Sequence, residues 1–372
     1  MEFHSLRAEL LTELQLIAGV IEKKHTMPIL ANILIEAEGN QLTLKATDLE
    51  VGLISHCPAQ VVEAGAFTVN AKRLQDMLAT LSGQQVSLSM SEGSLLDVVS
   101  GAAQFSIETM PTHDFPSIPD YDFSNAVQLP CGFVLECIGR VLFSISSDPH
   151  KYAINGALWR LLEGQLTMVS TDGHRMSVLR SQQNAGDGDF DVIVPRKTMG
   201  ELKKLLGSVD SDEPFLLAII DGRLFFKIGD RVLFSRAIDG KFPDYEKAIP
   251  TNNDKEFVFE RSVLSDVMRR KMVLSSDKSK LVRLGFSPNR LVVVLRNAER
   301  GESVDQIEID YQGEAFDVGF NAEYVLDFLK NMSCERIRLF LKDATNQGLF
   351  RIADDLDEIQ YEHVIMPMRL LG

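Results

Sequence analysis

Apolar residues recur at helical spacing in six separate stretches of the chain. These are Ser5–Val20, Ala71–Leu81, Cys131–Ser144, Arg196–Leu206, Arg261–Met272 and Asn321–Met332. Each repeats apolar positions at i, i+3 or i+4, and i+7, which predicts an amphipathic helix. Between them, segments such as NQLTLKATDL from Asn40 and GRLFFKIGDRVLFSRAI from Gly222 alternate apolar with polar residues. They are broken by EGN, DGR and GD, so they predict short antiparallel strands joined by tight turns. The pattern predicts an α+β fold in which each unit opens with a helix and lays two helices on antiparallel sheet.

The six helices come in three pairs because the chain repeats itself. FTVNAKRLQDML from Phe67, VIVPRKTMGELKKLL from Val192 and VGFNAEYVLDFLKNM from Val318 start 125 and 126 residues apart. A second set, QLTLKATDLE from Gln41, QLTMVSTDGH from Gln165 and RLVVVLRNAE from Arg290, keeps step at 124 and 125. A third register places Phe115-Pro116, Phe242-Pro243 and Met366-Pro367 at the ends of the units. One period in several registers predicts three tandem similar domains, at 1–120, 127–249 and 254–372. Pro/Asp/Asn-rich links near SIPDYDFSNA and AIPTNNDKE mark the boundaries.

Composition adds limits. A chain of 372 residues, 45% hydrophobic and 24% charged, is globular and too long for one ordinary core. No apolar run approaches the ~18 residues of a membrane span. The start MEFHSLRAELL is acidic and amphipathic, unlike a secretion signal. Cys57, Cys131, Cys137 and Cys334 form neither a metal pattern nor a disulfide framework, which predicts reduced core thiols in a cytosolic protein.

The stretch VSTDGHRMSVLR, from Val169, places Asp172, His174 and Arg175 in a polar break between apolar runs. An acid, an imidazole and a guanidinium so close suggest acid–base chemistry or a phosphate clamp. The repeat argues otherwise. Asp172 holds the position of Asp48 and Asn297, where an Asx side chain ends a strand by capping its own turn. His174 and Arg175 belong to the middle repeat alone. The chain also lacks a Gly-rich phosphate loop, an H-E-x-x-H and a G-x-S-x-G. No catalytic residue, metal ligand or cofactor is therefore assigned.

The net charge of −15 argues at first against nucleic acid. Its distribution changes that reading. The six helices hold 13 Lys/Arg against 8 Asp/Glu, so the acidity lies outside them. The positive charge gathers at Lys72 and Arg73, at Arg196, Lys197, Lys203 and Lys204, and at Arg269, Arg270 and Lys271. On any one helix this is an ordinary solvated face. Across a threefold repeat it predicts one basic surface on an otherwise acidic shell.

HTMPILANILIEAEGNQLTLKATDLE, AINGALWRLLEGQLTMVSTDGHRMSV, VIVPRK, DGKFPDYEKAIP, VGFNAEYVLDFL and the terminal YEHVIMPMRL run in order along nearly the whole chain. In these segments the chain resembles the bacterial sliding clamps, the beta subunits of DNA polymerase III. The resemblance implies a head-to-tail dimeric ring of six domains that encircles duplex DNA and slides without reading sequence. It implies partners as well: the polymerase alpha subunit, the clamp loader, other polymerases and repair proteins. These dock through short peptides in a pocket between the second and third domains. The pocket maps onto Ile154, Thr171, Gly173, His174, Arg175, Met176, Pro243, Lys247, Ala248, Asn321, Tyr324, Met366, Pro367, Met368, Arg369 and Leu370. Methionines suit a site that accepts several peptides. DNA contacts are implied at Lys24, Lys151 and Tyr152 besides the helix cations, and a dimer interface at Arg73, Phe105, Val273 and Leu274. The implied location is the bacterial cytoplasm, at the nucleoid, with no membrane contact.

Glu246, Lys247 and Ala248 stand where larger or more basic residues are common in the family, only Tyr152 of a tyrosine pair is kept, and Leu371 and Gly372 follow MPMRL. Two other readings stay open on sequence alone. One is an enzyme built on Asp172, His174 and Arg175, and the other is a repeat scaffold that binds only proteins.

Overall fold

The computed structural model describes residues 1–21, 27–91, 94–182, 188–276, 280–353 and 359–370. The six helices are present as α1 (Arg7–Ile17), α2 (Ala71–Thr80), α3 (Cys131–Val141), α4 (Arg196–Leu206), α5 (Arg261–Leu274) and α6 (Ala322–Lys330). The expected order within a unit needs correction. A strand precedes each opening helix: Glu2–Leu6, Val127–Pro130 and Lys255–Glu260. In the first, Phe3 and Ser5 are buried and their neighbours are not, the two-residue period of a strand. Helical spacing in the following residues masked it. Two helices begin under an asparagine cap read in the repeat. Asn70 Oδ1 accepts from Arg73 N, and Asn321 Oδ1 accepts from Glu323 N.

The chain divides into two compact units, Met1–Leu135 with Gly200–Ala237, and Glu136–Met199 with Ile238–Gly372. The middle repeat is thus shared between them. The first unit holds a 13-stranded antiparallel sheet, beneath which α1 and α2 bury Leu10, Leu14, Leu74 and Leu78. The second holds an 8-stranded and a 4-stranded sheet.

Each unit contains one seam between repeats. In the first, Arg231–Arg236 pairs antiparallel with Val51–Pro58, Ser235 opposite Val51. In the second, Ile359–Ile365 pairs antiparallel with Arg175–Ser181, Ile365 opposite Arg175. The seams end alike: Arg236 N donates to Glu50 O, and Met366 N to His174 O. Met366 is therefore the counterpart of Arg236. The sequence register that aligned Met366-Pro367 with Phe242-Pro243 is wrong, because two X-Pro pairs on different sides of a strand end look the same in sequence. The remaining counterparts are Gly301–Glu308 and Ala103–Met110. The first pairs only with Arg290–Asn297, at the edge of the 4-stranded sheet. The second pairs with Leu95–Ser100 and touches Gly65–Asn70 only through Thr109 and Met110. Among the described residues this third seam is open.

The first seam is braced by a buried ion pair, with Glu13 on α1 accepting from Arg231 Nε at 2.9 Å and from Ser55 Oγ. The second is braced by an ion pair between Arg180 and buried Glu362 at 3.0 Å, and by neutral groups. Ser177 Oγ meets Ser144 Oγ at 2.8 Å, Tyr361 OH at 3.0 Å and His363 Nδ1 at 3.0 Å, and Tyr361 OH donates to Arg140 O. The His363 ring lies stacked on Phe328, with centroids 5.2 Å apart. Burial, aided by the charge of Arg175, lowers its pKa well below 6.5. The unfolded chain thus takes up a proton near pH 6.5 that the folded chain refuses. Stability is full above that pH and falls as pH drops through it, with a slope approaching one proton. Half-buried His56 acts in the same direction. In denaturant titrations, His363→Gln should flatten the slope between roughly pH 5 and 6.5. An unchanged slope would assign the titration to other groups.

Cys57, Cys131, Cys137 and Cys334 are all buried, as expected of core thiols. Burial raises the Cys131 thiol to about 11, far from reactive. Among the described residues, no helix is long and apolar enough to cross a membrane.

Candidate functional site

The Asp–His–Arg triplet resolves into a turn and a clasp. Asp172 Oδ1 accepts from His174 N at 2.9 Å and Arg175 N at 3.0 Å. Asp48 does the same for Glu50 and Val51, and Asn297 for Glu299 and Arg300. The recurring Asx is a turn cap in all three repeats. Gly173 has φ +91°, a conformation that glycine adopts without strain. His174 is exposed, while Arg175 turns inward. Its guanidinium donates from Nε to Asp172 Oδ2 (3.1 Å), from Nη1 to Asp327 Oδ2 (2.8 Å) and from Nη2 to Phe143 O (2.7 Å), and lies 4.3 Å from the Tyr324 ring centroid. Its side chain is 10% exposed. Acid–base chemistry needs a group free to exchange protons with a substrate. Here the acid and the guanidinium are spent on the protein itself. No group of three or more His, Cys, Asp or Glu among the described residues could hold a metal.

The strand Arg175–Ser181 sends alternate side chains to opposite faces. Arg175 and Ser177 face the helices. Met176 and Val178 face the other way, into an apolar cluster with Leu158, Val169, Ile193 and Val364. A strap from Ile238 to Ile249 covers that cluster. Phe242 and Tyr245 are buried in it, and Ile154, Ile238 and Ile249 pack at its margin. Ile238 N donates to Ile193 O, which pins the start of the strap. Pro243, Lys247 and Ala248 lie exposed on it, and Lys247 pairs with Asp244. The tail then runs from one sheet to the other. Met366 N donates to His174 O, and Met368 N to Gly319 O at 2.8 Å. A Cβ on Gly319 would lie 2.6 Å from Met368 O, so this approach requires glycine. Met366 and Met368 remain 45% and 38% exposed. Pro367 and Leu370 are half-buried, and Arg369 is exposed. Half-buried Asn321 and Tyr324 stand beside the far end of the tail, one at the start of α6 and one in its first turn.

The expected wall residues therefore gather at one end of the second seam, on two faces. Ile154, Thr171, Met176, Pro243, Lys247 and Ala248 belong to the strap side. Gly173, His174, Arg175, Asn321 and Tyr324 belong to the helix side, and Met366–Leu370 runs between. A cavity of about 420 Å³ beside the strap is bordered by Leu158, Arg160, Asp191 and the segment 240–246, and of the expected wall it takes in Pro243 alone. Sequence reasoning missed Phe242, Tyr245 and Asp327. Asp327 had one signal, since it stands three residues after Tyr324 and so on the same helix face.

The basic residues are mostly exposed. Arg73, Lys151, Tyr152, Arg196 and Lys203 are open to solvent, and Lys197 is half-buried. Lys72 pairs with Asp76, Lys204 with Glu201, Arg269 with Asp266 and Arg270 with Asp305. The first and third of these pairs are exposed on both sides and therefore weak, whereas Glu201 and Asp305 are largely buried. Lys271 is not a surface charge. It is fully buried, bonded to Asp305 at 2.6 Å and to Ser303 at 2.9 Å. Lys24 lies outside the described residues, as do Leu371 and Gly372. Of the expected interface, Arg73 is exposed, Phe105 and Leu274 are half-buried, and Val273 is 75% exposed.

These features define a class of protein: a repeat-built α+β chain with an apolar site where two repeats join and cations along its helices. Comparisons give the family. Its profiles for the N-terminal, central and C-terminal domains of the DNA polymerase III beta subunit match residues 1–119, 128–244 and 246–369. The beta sliding clamp of Pseudomonas putida is 34% identical over 375 residues, and that of Vibrio cholerae 34% over 371, each covering 100% of both chains. The DNA polymerase III subunit beta of Pseudomonas aeruginosa superposes with a TM-score of 0.90 at 33% identity, covering 100% of both chains. A Bartonella birtlesii sliding clamp, solved bound to griselimycin, gives 0.93 at 31% with the same coverage. The chain belongs to the DNA polymerase III beta-subunit family, the sliding clamps of DNA replication, and has their three-domain clamp fold.

Proposed function

We propose that two copies of this chain close head to tail into a ring that encircles duplex DNA and holds the replicative polymerase on it. The observation that carries this reading is the open third seam. Two seams of one design are closed within each chain, and the strands that would form the third, Gly301–Glu308 and Ala103–Met110, are left without each other. A head-to-tail contact between two chains would complete both open seams and close the ring. Phe105 lies on one of these strands. Val273 and Leu274 end the helix tied to the other, and Arg73, exposed on α2, is the expected supporting charge. The three clamp domains take the boundaries 1–120, 127–249 and 254–372.

The ring has no catalytic step of its own. Its work is topological, so no base need be read. Lys72, Arg73, Lys151, Tyr152, Arg196, Lys197, Lys203, Lys204, Arg269 and Arg270, with Lys24, meet phosphates loosely, which permits sliding. The acidic remainder repels DNA elsewhere. The groove at the second seam docks the polymerase alpha subunit, the clamp loader, other polymerases and repair proteins through peptides with apolar anchors. The protein works in the cytoplasm, at the nucleoid. Changing Arg196, Lys197, Lys203 and Lys204 together to Ser should weaken retention on circular DNA and flatten its salt dependence. A loss confined to one base sequence would refute sliding.

A further inference from the structure

The peptide groove proposed above has one wall on α6, and the Tyr324 ring stands on that wall. Tyr324 and Asp327 are three residues apart, so both reach the same side of the helix. Between them lies the Arg175 guanidinium, which reaches α6 from the start of the strand Arg175–Ser181. Asp327 Oδ2 accepts from its Nη1 at 2.8 Å, and its Cζ lies 4.3 Å from the Tyr324 ring centroid. Burial and then the nearby Asp172 carboxylate raise the Tyr324 phenol pKa, so the ring stays neutral. Asp327 itself is about two-thirds buried and does not belong to the expected wall.

We propose that Asp327 is the positioning residue of this wall: it clasps Arg175 beneath the Tyr324 ring and so fixes the ring for an incoming peptide. The reason is geometric. A guanidinium is a rigid fork, and its three bonds to Asp172, Asp327 and Phe143 O leave it one orientation. Two of those partners lie in the middle repeat. Asp327 is the one that ties the fork to α6. Without it, the guanidinium keeps its bonds to the turn and to Phe143 but loses its register with the ring. The same clasp sets the charge of the groove. Two carboxylates face one guanidinium, so Arg175 offers no free cation to an acidic ligand, and selection falls to apolar fit.

This inference rests on the docking groove, and the experiment separates the two. Calorimetry would measure a glutamine-and-leucine-bearing peptide against the full-length chain and its variants, with melting temperature and oligomeric state recorded for each. Asp327→Ala should bind about tenfold more weakly, the scale of one lost charge-assisted bond. Asp327→Glu should recover most of that loss. In an Arg175→Met background, Asp327→Ala should cost less than about twofold, because the clasp is already gone. If Asp327→Ala folds poorly, the isosteric Asp327→Asn makes the same comparisons. Wild-type affinity in Asp327→Ala, or an equal loss with and without Arg175, would overturn the proposal. A wild-type chain that binds no peptide would overturn the groove itself, and the clasp with it.

Discussion

Deleting Met366 to Gly372 should abolish peptide binding and leave the dimer and its hold on DNA intact. The cut falls just beyond the last strand, which ends at Ile365. All seven pairs between that strand and Arg175–Ser181 survive it. What disappears is the tail that spans from His174 O to Gly319 O, with two exposed methionines on it. Burying a methionine contributes about 1.5–3 kcal/mol, so losing both should weaken binding by roughly a hundredfold or more. Deleting only Leu371 and Gly372 should leave affinity unchanged or raised. Calorimetry with the glutamine-and-leucine-bearing peptide decides between these outcomes. Unaltered affinity after the longer deletion would move the docking site elsewhere on the chain.

Phe105→Ala combined with Leu274→Ala should give monomers. Both side chains are half-buried within one chain, and Val273, next to Leu274 at the end of α5, is 75% exposed. An apolar group so open at a helix end is a liability in a lone chain and an anchor in an interface. The end of α5 is also held rigidly to the open strand. Asp305, on that strand, takes Arg270 on one oxygen and buried Lys271 on the other. Helix end and strand therefore meet a partner as one surface. Truncating a buried Phe and a buried Leu costs about 5 kcal/mol or more, over a thousandfold in dimer affinity. Sedimentation at low micromolar concentration reads this directly. A double variant that stays dimeric would place the interface elsewhere.

The period of the chain, its six helices and the role of the recurring Asx were legible because they depend on neighbours in sequence. An Asx turn reaches two or three residues ahead, and a helix face repeats every three or four. What lay hidden depends on partners far along the chain. Lys271 reads as one more helix cation, and only the strand 30 residues later shows it buried on Asp305. Arg175 reads as part of a catalytic triplet, yet its decisive partner, Asp327, is 152 residues away. His363 and Ser177 are 186 residues apart. The opening strands were lost to the helical pattern that follows them, and Met366-Pro367 was matched to the wrong proline. Around the second seam, the apolar run of the tail was legible, whereas the burial of Phe242 and Tyr245 on the strap, and the division of the expected wall between two faces, followed only from strand pairing and alternation.

The three seams are alike in strands but not in how they are tethered. The two inside a chain are held by continuous polypeptide, so strands that part remain neighbours and meet again at a high effective concentration. The third has no such leash. Once its strands separate, rejoining depends on where the rest of the molecule has moved and on how many other copies are nearby. In a two-chain ring this leaves exactly two breakable joints. Dilution, or a partner that wedges a joint apart, would act there first, while the two seams within each chain stay shut.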